Sequence, residues 1–272
     1  MKLAFTTLGN PDWSFDRTLS EARRLGFEAI EIRGVEGKML AQEITQFFPK
    51  NKAETHRKLI EHNLKICGFG TSVSFHEPDR LDFMIIEGKT AIDVCERMGI
   101  PFIRVFGDKI CEQSIRNEVI QRTIKGIREL CIYASNKNVK VILETHGDFN
   151  TIENVMDVAN ELKDSPEFGI LWDIAHSDRS YGDEYIEFYK QIRPFISHVH
   201  IKDHLRNDGK FNLCLVGKGD IPIRQIIRTL ISDGYSGYMS LEWEKKWHPQ
   251  LEEPEIAYPG YVEFMRGIDC SL

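Results

Sequence analysis

The sequence contains no hydrophobic run long enough to span a membrane, because its longest apolar runs have the length of β-strands. A membrane helix needs about 20 consecutive apolar residues, and the first residues carry too short an apolar stretch for a signal peptide. The cysteines are scattered without a CxxC pair, which excludes a zinc ribbon and a redox motif. We therefore expect a cytoplasmic protein with reduced thiols and no membrane partner.

The chain also lacks an excess of positive charge. Its 272 residues include 35 Lys and Arg against 42 Asp and Glu, which gives a formal net charge of −7. Proteins that bind nucleic acid mainly through phosphate charge carry a basic face, so we expect no nucleic-acid partner. A small anionic substrate is still allowed, because it needs only a few local cations.

Two further absences concern the fold. No Pro-, Gly- or Ser-rich linker divides the chain, and no GxGxxG motif follows the first apolar run. An open doubly wound sheet would usually carry such a motif at a dinucleotide site. The hydrophobic fraction of 42% is ordinary for a globular core, and we predict one domain over residues 1–272.

Eight short apolar runs alternate with longer segments of helical periodicity. The runs are LAF from Leu3, AIEI ending at Ile32, KICGFG around Cys67, PFIRVFG around Val105, VKVILE ending at Glu144, GILWD ending at Asp173, ISHVHI around His200 and GYMSLE ending at Glu242. Between them, apolar residues recur every three to five positions, which is typical of helices. Parallel strands need helical crossovers, and eight such units in this length predict an α/β fold, a single (β/α)8 TIM barrel.

Helix-boundary residues support this division of the chain. Thr151 and Asp220 stand where helix N-caps are expected. Gly26, Gly99 and Gly234 each stand between a helical segment and the next apolar run. A left-handed residue often ends a helix at such a position, and glycine adopts that conformation without the cost of a Cβ. We therefore predict helix starts after the two polar residues and helix ends at the glycines.

The last four apolar runs carry an ionisable residue at their carboxyl ends, namely Glu144, Asp173, His200 and Glu242. These ends face the active site in a barrel, so we expect the four side chains to converge at its mouth. Three carboxylates packed together without a cation would repel one another or become protonated. With one imidazole and no thiolate, the set suits Mn²⁺, Mg²⁺ or Co²⁺, and also Zn²⁺. The pattern predicts a site for one divalent metal ion.

The motifs around these residues resemble those of the xylose isomerase-like barrel superfamily of sugar phosphate isomerases and epimerases. The similar segments are LETHG, LWDIAH, HVHIKD followed by Arg206, and SLEWE, and the similarity extends from RRLGFEAIEI to VGKGDIP. The superfamily includes ketose 3-epimerases, inosose isomerases and dehydratases, and hydroxypyruvate isomerases. The resemblance implies that Glu144, Asp173, His200 and Glu242 hold one metal ion, with Mn²⁺ as the first choice.

Four further residues are expected to bind the substrate or to support the metal ligands. By the resemblance, His176 matches a substrate-binding histidine, and Arg206 matches an arginine that contacts substrate oxygens, although its loop position also suits a surface salt bridge. Lys202 lies two residues after the ligand histidine and so points to the same strand face. There it would bind a carboxylate or phosphate, or pair with Asp203. His198 lies one layer deeper, and we expect it to be packed or to support the ligands.

These residues fit a reaction that begins with removal of a proton next to a carbonyl. A metal ion would stabilise the resulting enediolate, while one of Glu144 and Glu242 removes the proton and the other returns it. Return to the opposite face gives an epimer, return to the adjacent carbon gives an isomer, and loss of a β-hydroxyl gives a dehydration product. We predict a metal-dependent isomerase or epimerase of a small sugar, sugar phosphate or keto-polyol, with a dehydratase as the alternative, acting as a homodimer or homotetramer.

Two other classes of protein compete with this prediction. Apurinic endonucleases of the same superfamily need further histidines at the ends of strands three and four, where this chain reads GFGTS and RVFGD. That difference and the net charge of −7 argue against a phosphodiesterase. A non-catalytic binding barrel has no need of two catalytic carboxylates, so the presence of Glu144 and Glu242 favours an enzyme.

Overall fold

The computed structural model describes residues 1–268, and residues 269–272, which include Cys270, lie outside the described part. In chain order the elements are β1 (Lys2–Thr6), α1 (Phe15–Leu25), β2 (Ala29–Ile32), α2 (Lys52–Glu61), β3 (Lys65–Ser74), α3 (Leu81–Met98), β4 (Phe102–Phe106), α4 (Arg116–Ala134), β5 (Lys140–Glu144), α5 (Ile152–Leu162), β6 (Phe168–Asp173), α6 (Ile174–Tyr181), α7 (Tyr185–Ile192), β7 (Ile196–Ile201), β8 (Asp203–Asn207), β9 (Lys210–Cys214), α8 (Ile223–Ser232), β10 (Tyr238–Leu241) and α9 (Pro254–Arg266). The alternation of strands and helices follows the alternation predicted from the sequence.

Eight of the strands form a closed barrel in the order β1-β10-β7-β6-β5-β4-β3-β2. Each neighbouring pair is parallel, and the barrel closes because β1 pairs with both β2 and β10. Closure removes the open edges that an isolated sheet would expose. This topology confirms the predicted (β/α)8 TIM barrel, whereas the predicted single domain over residues 1–272 includes four residues beyond the described part.

The barrel strands are buried because helices cover their outer faces, as in parallel sheets generally. Every residue of β6 is buried, and the helices turn one apolar face towards the strands. On α8 the buried residues are Ile223, Ile226, Ile227 and Leu230. Burying one such side chain contributes about 1.5–3 kcal/mol. Among residues 1–268, no helix has both the length and the apolar character needed to cross a membrane.

Most of the predicted helix boundaries are found in the structure. Thr151 precedes α5 and its side chain accepts a hydrogen bond from the backbone N–H of Asn154 at 3.4 Å. Gly26 and Gly99 end α1 and α3 with φ angles of 82° and 71°. Gly234 also has a positive φ, one residue after the C-cap of α8. These glycines stop the helices so that the next strand can enter the barrel.

The predicted N-cap at Asp220 is wrong. Helix α8 begins later, at Ile223, and Pro222 occupies the N-cap position without a side-chain hydrogen bond to the helix. The Asp220 carboxylate instead accepts a hydrogen bond from the backbone N–H of Arg206 at 2.7 Å. The Asp220 side chain therefore makes a tertiary hydrogen bond instead of the N-cap hydrogen bond that the local sequence predicts.

An antiparallel hairpin of β8 and β9 interrupts the alternation between β7 and α8. Asp203, the first residue of β8, accepts hydrogen bonds at Oδ2 from the backbone N–H groups of Gly217 and Gly219, at 2.9 and 3.0 Å. These bonds tie the loop before α8 to the hairpin. Because the hairpin follows the carboxyl end of β7, it stands beside the mouth of the barrel.

Candidate metal centre

The strand ends bring Glu144, Asp173, His200 and Glu242 together at the mouth of the barrel. Glu144 and Asp173 are the last residues of β5 and β6, and Glu242 directly follows β10. Asp173 is in register with His200 across the β6–β7 pair. All four side chains are buried, and one potential ligand atom from each lies within 4.8 Å of the others. Parallel strands that end at one edge thus place residues distant in sequence side by side.

His200 turns its Nδ1 atom towards the three carboxylates. This nitrogen lies 3.4 Å from Oε1 of Glu242, 3.8 Å from Oε1 of Glu144 and 3.9 Å from Oδ2 of Asp173. Three buried atoms of the group make no hydrogen bond of good geometry, namely Oε2 of Glu144, Oδ2 of Asp173 and Nδ1 of His200, although the two oxygens lie beside buried cations. Buried polar atoms are normally satisfied, so these converging lone pairs fit a divalent cation. Oxygen donors with one imidazole are also the ligands that such ions prefer.

Two buried cations offset part of the negative charge. Nε of Arg104 lies 2.8 Å from Oε2 of Glu144. Nζ of Lys202 lies 2.9 Å from Oδ2 of Asp173 and 2.6 Å from Oε2 of Glu242. Carboxylates in a dry site need such partners, because an uncompensated buried charge is costly. Each cation therefore holds one or two of these carboxylates in place.

Lys202 does not pair with Asp203, which was one of its two predicted roles. Adjacent residues of an extended strand point to opposite faces, and Asp203 binds backbone N–H groups instead. The third carboxylate at the Lys202 ammonium is Glu244, with Oε1 at 2.5 Å from Nζ. A substrate anion would have to compete with these carboxylates, so the substrate-binding role of Lys202 stays a prediction.

The two predicted catalytic carboxyls have different electrostatic environments. Burial raises the pKa of Glu144, and Arg104 offsets this effect only in part. Burial alone would also raise the pKa of Glu242, but Lys202 and His200 outweigh it and hold that pKa well below its usual value. Glu242 is therefore the more readily ionised of the two.

His176 borders the centre, and its Nε2 atom lies 3.5 Å from Nζ of Lys202 and 4.0 Å from Oδ2 of Asp173. Its ring also packs against His146, with the ring centroids 4.3 Å apart. Burial and the nearby Lys202 ammonium hold the pKa of His176 well below its usual value. The side chain is therefore a neutral imidazole, which can donate or accept a hydrogen bond without adding charge.

Arg206 contacts two carboxylates outside the centre. Its Nε atom donates to Oδ2 of Asp178 at 2.9 Å, and its Nη1 atom lies 3.4 Å from Oδ1 of Asp183. His204 donates to the same Asp178 carboxylate at 2.8 Å. Arg206 lies on strand β8, not in the predicted loop. Its guanidinium group has the predicted salt bridge, and its contact with substrate stays a prediction.

Two buried charged residues that border the centre were not among the predicted ones: Glu31 on β2 and Arg104 on β4. Each is a single charged residue within an otherwise apolar strand, AIEI or FIRVF, and this was the signal that would have identified them. Side chains alternate between the interior and the exterior along a barrel strand. A charge at an interior position needs a partner inside the barrel, which Glu31 finds in two histidines.

Comparisons with known proteins agree with the barrel fold. The family model described as the xylose isomerase-like TIM barrel matches residues 19–266. Fructoselysine 3-epimerase of Shigella flexneri is 24% identical over 277 residues, which cover 98% of this chain and 98% of that protein.

Two solved structures share the fold at low identity. One is the probable 3-DHS dehydratase involved in petrobactin synthesis from Bacillus anthracis, with 20% identity, a TM-score of 0.78 and coverage of 99% of this chain and 100% of that one. The other is the IOLI protein with a bound zinc atom, with 20% identity, a TM-score of 0.79 and coverage of 97% of both chains. The chain is thus related to epimerases and dehydratases, and it belongs to the xylose isomerase-like TIM barrel family, as its motifs predicted.

Proposed function

We propose that this protein is a divalent-metal-dependent isomerase or epimerase of a small sugar or sugar phosphate. The observation that carries the proposal is the buried convergence of three carboxylates and one imidazole, one potential ligand atom of each lying within 4.8 Å of the others. The relation to a 3-epimerase along nearly the whole chain supports the reaction class. The zinc atom of the structurally similar IOLI protein supports a metal ion.

Glu144, Asp173, His200 and Glu242 would hold the ion. Mn²⁺ is our preferred metal, because the donor set is rich in oxygen, contains one imidazole and lacks a thiolate. When bound, the ion would act as a Lewis acid for the negative charge that develops on the substrate oxygens. The remaining chemistry belongs to the side chains of the protein.

Glu144 and Glu242 are proposed to move the proton. They stand on β5 and after β10, and β6 and β7 lie between them in the barrel, so a sugar carbon held there would meet one carboxylate on each side. Arg104 and Lys202 bind Oε2 of these two residues, at 2.8 and 2.6 Å. Each Oε1 faces the interior of the centre. One carboxylate would remove the proton, and the other would return it.

His176 is proposed to position the substrate. Its neutral imidazole borders the centre, so it can donate a hydrogen bond to a substrate oxygen as that oxygen gains charge. Lys202 would stabilise the same charge through its ammonium group. Arg206 would reach the substrate only if its guanidinium left Asp178, so we give it the last place among the proposed substrate contacts.

A pocket beside the centre offers room for the rest of the substrate, with a volume of about 440 Å³. Its lining residues are Arg179, Phe211, Asn212, Leu213, Glu244, His248, Gln250, Leu251 and Glu252. Glu244 joins the pocket to the centre through its contact with Lys202. Arg179 lies against the Phe211 ring, 5.6 Å from its centroid. The non-reacting end of a sugar would therefore meet an aromatic ring and a cation, which suits a phosphate or carboxylate group.

Dehydration is the second candidate, because it begins with the same proton removal. The structural similarity to a probable dehydratase supports this second candidate. The two reactions differ in what leaves: an epimerase or isomerase returns the proton, whereas a dehydratase also releases a β-hydroxyl group as water. Product analysis separates them.

The test is proton exchange with solvent. The purified protein is incubated with Mn²⁺ in D₂O and a panel of ketoses, each with and without a phosphate group, and the sugars are examined by NMR. We expect deuterium at the carbon next to the carbonyl, with an epimer or isomer as product. Exchange that survives in both Glu144→Gln and Glu242→Gln, or that needs no divalent metal, would contradict the proposal.

A further inference from the structure

A buried hydrogen-bond cluster adjoins the candidate metal centre. The Glu31 side chain on β2 is 1% exposed and accepts hydrogen bonds from three side chains. Nε2 of His198 lies 2.8 Å from Oε2, Nε2 of His200 lies 3.0 Å from Oε1, and Oγ of Ser240 donates to Oε2 at 2.7 Å. The donors come from β7 and β10, where Ser240 and His200 are in register. Glu31 thus reaches across the barrel interior to three side chains of two adjacent strands.

These contacts decide which nitrogen of His200 carries the hydrogen. Three donors converge on Glu31, which stabilises its ionised form, and an ionised carboxylate can only accept. The Nε2 atom of His200 must therefore carry the hydrogen. Because a metal ion binds a neutral imidazole, and Nε2 keeps its hydrogen for Glu31, Nδ1 is the nitrogen whose lone pair is available to an ion. That nitrogen is the one that faces Glu242, Glu144 and Asp173 and has no hydrogen-bond partner.

We propose that Glu31 is a positioning residue for the metal centre. It holds the His200 ring in one orientation and one tautomer, and it presents Nδ1 to the ion. The inference rests on the proposed role of His200 as a metal ligand. Carboxylates that accept the second N–H of a ligand histidine also make that ligand more basic, and their loss typically costs about 10–100-fold in metal affinity or activity. Glu31 would therefore act on the ion through His200 without touching it.

A second ion at this cluster is the rival explanation, because ligand atoms of Glu31, Cys67 and His198 also lie within 4.8 Å of one another. Three observations oppose it. Both carboxylate oxygens of Glu31 already accept hydrogen bonds, and burial raises the pKa of the Cys67 thiol well above its usual value. The thiol also contacts the carbonyl oxygen of Ile30 at 3.5 Å. A metal would have to displace each of these contacts.

The test is calorimetric titration of Mn²⁺ into the metal-stripped full chain. Glu31→Gln keeps the size of the side chain but leaves one acceptor oxygen for two histidines. We expect one ion per chain in both proteins and a dissociation constant about 10–100-fold larger in the variant. Glu28→Gln, at an exposed neighbouring position, is the matched control and should leave affinity unchanged. Equal affinities in Glu31→Gln and the wild type would overturn the proposal, and so would two ions in the wild type with one in the variant.

A second measurement needs no variant, in case Glu31→Gln fails to fold. Long-range ¹H–¹⁵N correlation spectra of the metal-free wild type report the tautomer of each histidine ring. We expect His200 to carry a hydrogen on Nε2, and a ring protonated at Nδ1 alone would overturn the proposal. Neither measurement uses turnover. If Glu31 controls Mn²⁺ affinity and no sugar exchanges its proton, the proposed function fails while the role of Glu31 stands.

Discussion

Nζ of Lys202 lies 2.6 Å from Oε2 of Glu242, and both side chains are buried at the mouth of the barrel. The same ammonium group also contacts Asp173 and Glu244. An isolated buried lysine would lose its charge, but this one is surrounded by carboxylates that keep it protonated, since they outweigh burial and raise its pKa. The centre therefore carries a permanent cation beside the site that we propose for a divalent ion.

Replacing this cation should lower the free energy of unfolding, and the decrease should be larger in the metal-free protein than in the metal-bound one. Lys202→Met leaves three carboxylates with less compensation, and breaking a buried ion pair costs about 3–5 kcal/mol. A bound divalent ion would supply part of the missing positive charge, so Lys202→Met should lower the stability less when Mn²⁺ is present. Thermal unfolding with and without metal measures both values. Lys190→Met, whose side chain is 60% exposed, should change stability by less than about 0.5 kcal/mol. Equal losses with and without Mn²⁺ would contradict this explanation.

The catalytic roles proposed for Glu144 and Glu242 can be tested by changes that keep the size of the side chain. Glu144→Gln and Glu242→Gln should each lower kcat by about 10²–10⁴-fold, because each removes a group that we propose to transfer the proton. The metal content of each variant must be measured alongside turnover, since both residues are also proposed ligands. Glu153→Gln, with a side chain 70% exposed, is the control. Full turnover in either active-site variant with metal bound would exclude that residue as acid or base.

The barrel and the convergence of the proposed ligands were predictable because their signals are local. An apolar run that ends in an ionisable residue marks the carboxyl end of a strand, and barrel geometry then brings Glu144, Asp173 and Glu242 to one mouth. The helix ends at Gly26 and Gly99 were also predictable from local sequence, because a left-handed backbone conformation at that position favours glycine.

The partners of buried charges were not predictable in the same way. Glu31 bonds to His198 and His200, which follow it by 167 and 169 positions, and no local pattern links residues so far apart. Asp220 had a typical N-cap position, yet its carboxylate binds the Arg206 backbone. The two-residue spacing identified the strand face of Lys202 correctly, but only the closed barrel shows which carboxylates surround it.

If the proposed function is correct, removal of metal should abolish turnover reversibly and lower the melting temperature of the protein. Binding at 100 times the dissociation constant adds about 2.7 kcal/mol, which corresponds to about 5–10 °C for a chain of this size. EDTA should remove this increment, and Mn²⁺ should restore it together with activity. Asp173→Asn retains an Oδ1 atom able to cap α6 through Ala175 but loses a proposed ligand, so its melting temperature should not respond to Mn²⁺. A response equal to that of the wild type would contradict the assignment of Asp173.

Asp178 should make stability depend on acid pH. Burial alone would raise its pKa, but hydrogen bonds from His204 and Arg206 hold that pKa below its usual value. A carboxyl with a lowered folded pKa stabilises the protein fully above its unfolded pKa, about 3.9, and loses this contribution as pH falls through the folded value. Asp178→Asn should therefore cost about 1.5–3 kcal/mol at pH 6. Urea unfolding should show this difference unchanged down to about pH 5 and shrinking below about pH 4. A difference that is constant down to pH 3 would show that the charge of Asp178 does not stabilise the fold.

Arg179 should distinguish phosphorylated from neutral substrates. It lines the pocket beside the centre together with Phe211, so we expect it to bind an anionic group at the non-reacting end of the sugar. A charge-assisted hydrogen bond contributes about 1.5–3 kcal/mol, so Arg179→Met should raise KM for a ketose phosphate at least about tenfold. The kcat value should stay within about twofold, because the reacting carbons lie elsewhere.

The same ketose without its phosphate group is the internal control, and its KM should not change in Arg179→Met. Arg193→Met is the matched protein control, because Arg193 precedes β7 at the opposite end of the barrel and pairs with Asp233 at 3.2 Å. Steady-state kinetics with both sugars and both variants gives the four comparisons. An equal rise in KM for the neutral and the phosphorylated sugar would show that Arg179 shapes the pocket without recognising charge. No rise for either sugar would place the anionic group, if the substrate has one, outside this pocket.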